Sequence, residues 1–285
     1  MRKMIGLMLL LLSTLAVNAG SSSQPPPPPA ADLPPCYSLP PTFCPSCGAG
    51  MVTELGGLRA YVTGPSDSKK AILMISDIYG DEPPVFRSVA DKISSAGFLV
   101  VAPDFFHGDA ANPSNPKYDK ATWKLNHPAE KGYADAKLVI SALKEKGIFM
   151  VGVAGFCWGG KVAVKVANDT KEVQAAVLLH PSDVTADEMK AVEVPIAILG
   201  AERDKGLPQA QMHHFDEILS SNKIEHRVKT YPGVCHGWTI RYFHNDTFAV
   251  NSAAEAHADM INWFEKHVAL KSMEDETSES PTCSI

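Results

Sequence analysis

The stretch Val151-Gly152-Val153-Ala154-Gly155-Phe156-Cys157-Trp158-Gly159-Gly160-Lys161 runs from an apolar, β-branched segment through a glycine-rich turn into a second apolar segment. Its first half suits a strand buried on both faces, and the residues after Gly160 suit a helix. The junction reads G-x-C-x-G, the pattern of a nucleophile elbow with Cys in place of Ser. A nucleophile on so sharp a turn needs neighbours without Cβ atoms, because strand and helix must approach closely. The turn exposes the Cys157 thiol above the sheet, and the amino end of the following helix favours the thiolate, the reactive form. The same residues also suit a tight turn whose Cys is a small buried hydrophobe, so the surroundings must decide. Gly155-x-x-x-x-Gly160-Lys161 matches most of a phosphate-binding loop as well, but Val162 stands where a Ser or Thr would meet magnesium.

Outward from this junction the chain alternates between two kinds of segment. Ala71–Ile75, Phe98–Val101, Phe149–Ala154, Ala175–Leu179 and Pro195–Leu199 are short and rich in Val, Ile and Leu, as in a parallel sheet covered on both faces. Between and after them, Val85–Ala96, Ala129–Lys146, Lys161–Asn168, Pro208–Ser221 and Ala249–His267 carry helical spacing. The alternation predicts a three-layer α/β domain with a mostly parallel central sheet. In such sheets ligands bind at the carboxyl ends of the strands. That rule selects Asp77 and Ile78, Asp104 to His107, Cys157, His180 and Asp204.

A cysteine nucleophile needs a base, the base needs an orienting acid, and this architecture supplies them in the order nucleophile, acid, histidine. Asp204 lies four residues beyond the strand-like run that ends at Gly200, with Glu202 as the nearest substitute. His236 lies in Tyr231-Pro232-Gly233-Val234-Cys235-His236-Gly237-Trp238, after the strand-like Glu225–Thr230, and its flanking glycines permit a close approach to the sheet edge. His213, His214, His257 and His267 fall on predicted helices, while His107 and His180 follow strands.

The amino end reads as an export address. Arg2 and Lys3 precede an apolar run from Ile5 to Val17, and small residues follow before Gly20, so residues 1–19 are expected to be a cleaved signal peptide. The run is too short to span a bilayer of about 30 Å, so no membrane association is expected after cleavage. Asn168-Asp169-Thr170 and Asn245-Asp246-Thr247 are sequons, so Asn168 and Asn245 are candidate glycosylation acceptors, a weak sign of a secretory route. Residues 20–47 form a leader rich in Pro, Ser and Cys, residues 48–270 an ordinary globular domain, and residues 271–285 a polar tail expected to be disordered. The net charge is −6, two units more negative without Arg2 and Lys3, which argues against a nucleic-acid partner. Cys36, Cys44 and Cys47 crowd the leader; in an exporting compartment a disulfide among them is expected, Cys36–Cys47 being one pairing. A lone Cys44-x-x-Cys47 is a weak metal signal, and neither metal nor cofactor is expected.

These residues converge on a known family. The chain resembles dienelactone hydrolases of the α/β-hydrolase fold, especially a secreted plant branch often labelled endo-1,3;1,4-β-glucanase. Gly155-Phe156-Cys157-Trp158-Gly159-Gly160, Asp204 and Pro232-Gly233-Val234-Cys235-His236-Gly237-Trp238 carry the resemblance, with Cys47-Gly48-Ala49-Gly50 and Gly56-Gly57-Leu58-x-Ala60-Tyr61 resembling the plant branch. The resemblance implies that Cys157 attacks an ester or lactone carbonyl, His236 shuttles the proton and Asp204 orients His236. It implies an oxyanion hole from the N–H groups of Ile78 and Trp158. Bacterial members place a Glu against the resting thiol where this chain has Asp77, one methylene shorter. Arg241 roughly matches a substrate-carboxylate arginine of the family, while a second arginine has no clear counterpart. Tyr79, Phe105, Phe106, Trp123 and Trp238 are candidates for an apolar substrate pocket, aromatic residues near a sheet end being as often core.

Two other functions stay open on the sequence. Glycan cleavage requires a pair of carboxylates, for which Asp77, Asp81, Glu82 and Asp104 are available, but gives Cys157 no part. A non-catalytic binding protein on the same fold, its thiol idle or oxidised, is the third reading.

Overall fold

The computed structural model describes residues 40–169 and 172–269. The signal segment, Cys36, the rest of the leader before Pro40 and the tail lie outside the described residues. In chain order the elements are β1 (Met51–Leu55), β2 (Leu58–Thr63), β3 (Lys70–Ile75), α1 (Pro84–Ser94), β4 (Leu99–Pro103), α2 (Lys120–Asn126), α3 (Ala129–Glu145), β5 (Met150–Phe156), α4 (Trp158–Ala167), β6 (Ala175–Leu179), α5 (Ala186–Lys190), β7 (Ile196–Arg203), α6 (Gln209–Ser221), β8 (His226–Cys235) and α7 (Thr247–His267). The strands form one sheet in the order β1-β2-β4-β3-β5-β6-β7-β8. β1 runs antiparallel to β2 and β2 to β4, and every other pairing is parallel.

The strand alternation divides the core in two. On β3, Ala71, Leu73 and Ile75 face the layer built from α3 to α6, while Ile72 and Met74 face α1 and α7. Both faces of each central strand are therefore dry, which is why the sequence shows continuous apolar runs there and no hydrophobic–polar alternation. A buried Val, Leu, Ile or Phe contributes roughly 1.5–3 kcal/mol, so this sheet is a rigid platform for whatever its carboxyl ends hold.

Two departures from expectation have local causes. β1 leaves four of its five residues exposed and is held by its ladder to β2, so it carries no buried periodicity to read. Helix α4 begins at Trp158, before Lys161, and so contains Gly159 and Gly160. A Cβ on Gly159 would lie 2.2 Å from the Ile75 carbonyl oxygen, so contact with β3 demands glycine inside the helix despite its poor propensity.

The end of the leader is fastened to the domain. Arg87, 1% exposed, donates to the carbonyls of Pro45 and Cys47 and pairs with Asp81, while the Cys44 N–H donates to the Glu82 carbonyl at 3.3 Å. Cys47 is disulfide-bonded to Cys44, which corrects the expected Cys36–Cys47 pairing. A turn closed by a 3.1 Å hydrogen bond from the Cys47 N–H to the Cys44 carbonyl brings their Cα atoms to 5.4 Å, within ordinary bridging distance. Cys235 is disulfide-bonded as well, and Cys157 is a free thiol.

Candidate active site

Cys157 sits between β5 and α4 with φ 54° and ψ −109°, a left-handed backbone that a side chain rarely adopts. The turn is over-determined. The Cys157 N–H donates to Leu179 at the end of β6, the Ser182 N–H donates to the Cys157 carbonyl, and a Cβ on Gly155 would lie 2.2 Å from the Gly159 carbonyl oxygen. The half-buried thiol lies 3.1 Å from the Ser182 hydroxyl. Ser182 carries no sequence motif; only the pairing of β5 with β6 brings its turn to the elbow.

Asp204 follows β7, and His236 follows β8, its neighbour in the sheet. Asp204 Oδ1 accepts the N–H groups of Gly206 and Leu207 at 2.8 and 3.3 Å, and Oδ2 accepts His236 Nδ1 at 2.6 Å. This arrangement fixes the ring orientation and leaves Nε2 free of Asp204. Burial opposes a charge on His236, but hydrogen bonding and charge from Asp204 and Cys157 outweigh it and raise its pKa to about 9. The direction of the shift favours the imidazolium at neutral pH. His180, fully buried with its ring centroid 5.1 Å from that of His236, is held neutral first by burial and then by the His236 charge.

Ile78 follows β3 and Trp158 opens α4, so their backbones flank the thiol from two strands. Among the described residues neither N–H donates to a protein acceptor, as an oxyanion hole requires. Asp77 departs from the expected thiol contact: no hydrogen bond joins it to Cys157 among the described residues. Its Oδ2 is ion-paired with Arg241 and its Oδ1 accepts the Tyr79 N–H at 3.0 Å. A buried carboxylate takes the nearby guanidinium in preference to the Cys157 sulfur. Arg241 also donates to the His236 carbonyl at 3.3 Å and lies over the Tyr79 ring.

These groups open into a cavity of about 510 Å³ that includes Ile78, Tyr79, Cys157, Ser182, His236 and Arg241. Lys120, Lys124, Arg203 and Lys205 line it together with Asp183 and Asp204, and Lys124 pairs with Asp183 at 3.1 Å. Trp238, expected in a substrate pocket, is 5% exposed and packs against His180 and Tyr231 in the core below His236. Phe105, Phe106 and Trp123 are core residues too, Phe106 lying between Trp123 and Trp158.

The carboxylates available for glycan cleavage are committed elsewhere. Asp81 pairs with Arg59 and Arg87, Glu82 with Arg59, and Asp104 accepts the N–H groups of Phe106 and Gly108. Of the sequon asparagines, Asn245 is exposed, whereas Asn168 caps the end of α4 with its Oδ1 buried.

Residues 58–268 match the profile of the Dienelactone hydrolase family. A Zea mays protein named Endo-1,3;1,4-beta-D-glucanase is 43% identical over 164 residues, which cover 58% of this chain and 52% of that protein. The chain thus spans about half the length of that relative. A Mus musculus Carboxymethylenebutenolidase homolog is 30% identical over 241 residues, covering 79% of this chain and 97% of its own. A propionate-bound thermophilic esterase from Thermogutta terrifontis superposes with a TM-score of 0.58 at 16% identity, covering 80% of this chain and 98% of that one, which indicates a shared fold.

Proposed function

Because the chain belongs to the dienelactone hydrolase family, we propose that it hydrolyses a small-molecule ester or lactone through a Cys157–His236–Asp204 triad and an acyl-enzyme intermediate. The observation that carries this reading is the 2.6 Å contact between His236 and Asp204, in the same cavity as a free thiol on a strained elbow. The Cys157 sulfur attacks the carbonyl carbon, and the oxygen of the tetrahedral intermediate takes its hydrogen bonds from the Ile78 and Trp158 N–H groups. Collapse breaks the carbon–oxygen bond to the leaving group, which receives the proton held by imidazolium His236. Neutral His236 then takes a proton from water, the hydroxide attacks the thioester, and the carbon–sulfur bond breaks to restore the thiolate and the imidazolium. The reaction draws only on the chain's own groups and water. Lys120 and Lys205 in the cavity lining favour a substrate that carries negative charge.

The disulfides at Cys44–Cys47 and Cys235 support an exported protein, since such bonds persist in oxidising compartments. The name of the maize relative suggests action on β-glucan, but Asp77, Asp81 and Glu82, the carboxylates considered for that chemistry, are paired with arginines.

Purified protein is expected to hydrolyse small aryl esters and lactones, and Cys157→Ala or iodoacetamide to abolish the activity. Full-rate ester hydrolysis after either treatment would falsify the triad. Release of reducing sugar from mixed-linkage β-glucan that survives Cys157→Ala would favour the glycosidase reading, and ligand binding without any turnover the binding protein.

A further inference from the structure

We propose that Ser182 is the positioning residue of the thiol, its hydroxyl donating to the Cys157 sulfur and holding it in place for attack; this rests on the Cys157 reading above. The contact is 3.1 Å, and among the described residues the Ser182 hydroxyl has no other hydrogen-bond partner. Either atom can donate in that contact, but in the thiolate form that attacks the carbonyl the sulfur has no proton and the hydrogen comes from the serine.

The turn that carries Ser182 is built to hold the hydroxyl there. The Ser182 N–H donates to the Cys157 carbonyl at 3.0 Å, while His180 and Asp183 on either side have φ of 39° and 58°. Pro181 packs so closely on Gly160 that a Cβ there would lie 2.5 Å from the Pro181 Cβ, and Lys161 donates to the Asp183 carbonyl at 2.6 Å. Elbow and serine turn are thus one rigid unit. The other group that sequence reasoning offers for this duty, Asp77, is engaged by Arg241 and the Tyr79 N–H. A carboxylate in that place would also repel a thiolate, whereas a hydroxyl stabilises it.

The test is the pH dependence of Cys157 alkylation by iodoacetamide in the full chain, read alongside ester hydrolysis. Ser182→Ala is expected to slow alkylation roughly tenfold at pH 6, the scale of one hydrogen bond to a charged group, and to change the rate little at pH 10. Ser182→Thr, which keeps the hydroxyl, is expected to restore the profile. Ser182→Gly serves as a second deletion of the hydroxyl should the alanine variant fold poorly. An unchanged alkylation profile in a folded hydroxyl-free variant overturns the proposal, as does an equal slowing in Ser182→Thr. So does a profile that Asp77→Asn slows and Ser182→Ala does not. Alkylation reads the thiol directly, so its outcome is separate from that of the triad: loss of the triad reading would appear as hydrolysis that survives Cys157→Ala.

Discussion

Arg241 and Asp77 are ion-paired although 164 residues separate them in the chain. The pair ties the loop that follows β3 to the loop that carries His236, because Arg241 also donates to the His236 carbonyl. Both side chains are nearly excluded from water, at 11% and 3% exposure. Removing one partner strands the other charge, a change that typically costs about 3–5 kcal/mol. Arg241→Ala is therefore expected to lower the unfolding free energy by about 3 kcal/mol in urea titrations at pH 7. Adding Asp77→Asn should recover part of that loss, because no carboxylate is then left unpaired. Two independent, additive losses in the double variant would show that the residues are not coupled.

In the proposed mechanism Asp204 acts on the reaction only through His236. Asp204→Asn keeps the shape and one hydrogen bond but presents an amide where the imidazole needs an acceptor, favouring the wrong tautomer. The expected result is a fall in kcat of about three to four orders of magnitude with KM within about threefold of the parent. Because Oδ1 also holds the loop at Gly206 and Leu207, circular dichroism and Tm should accompany the kinetics. A loss seen mainly in KM would move Asp204 from the triad to the substrate site.

The charge state of His236 links stability to pH. Its pKa in the folded chain is pushed up to about 9, above its ordinary 6.5. A group raised in this way stabilises the fold fully below about pH 6.5 and loses that contribution as pH climbs through about 9. Between pH 6 and pH 9.5 the parent is expected to lose several degrees of Tm more than His236→Gln, which has no such proton to release. Parallel Tm curves for the two proteins across that range would remove the imidazolium from the resting state.

Cys157, Asp204 and His236 were legible because each belongs to a local pattern: glycines about a strand–helix junction, a carboxylate just past a buried strand, a histidine between glycines after the last strand. The buried parallel strands were legible from their apolar runs in the same way, but their order in the sheet was not. Pairings set by the tertiary fold have no such mark. Asp77 and Arg241 meet only because β3 and the His236 loop converge, and Ser182 reaches the thiol only because β6 lies beside β5. Trp238 shows the reverse, a residue next to the histidine in sequence whose ring turns into the core. Cys47 had two possible partners in the leader, and only the turn at Cys44 settles the choice.

Gly159 offers the sharpest test of how the elbow supports the chemistry. Within a helix, Gly→Ala ordinarily stabilises by about 1 kcal/mol. Here a Cβ would lie 2.2 Å from the Ile75 carbonyl oxygen and 2.6 Å from that of Ser76, both backbone atoms that cannot rotate away. Those atoms belong to the segment that leads to Ile78, and Gly159 directly follows Trp158. A methyl group at Gly159 therefore wedges apart the two backbones whose N–H groups form the proposed oxyanion hole. Loss of one oxyanion-hole donor lowers kcat by about two to three orders of magnitude. Gly159→Ala is expected to reach that range and to lose stability, while alkylation of Cys157, which develops no oxyanion, falls far less. Equal losses in alkylation and hydrolysis would mean that the substitution displaces the thiol itself and not the donors around it.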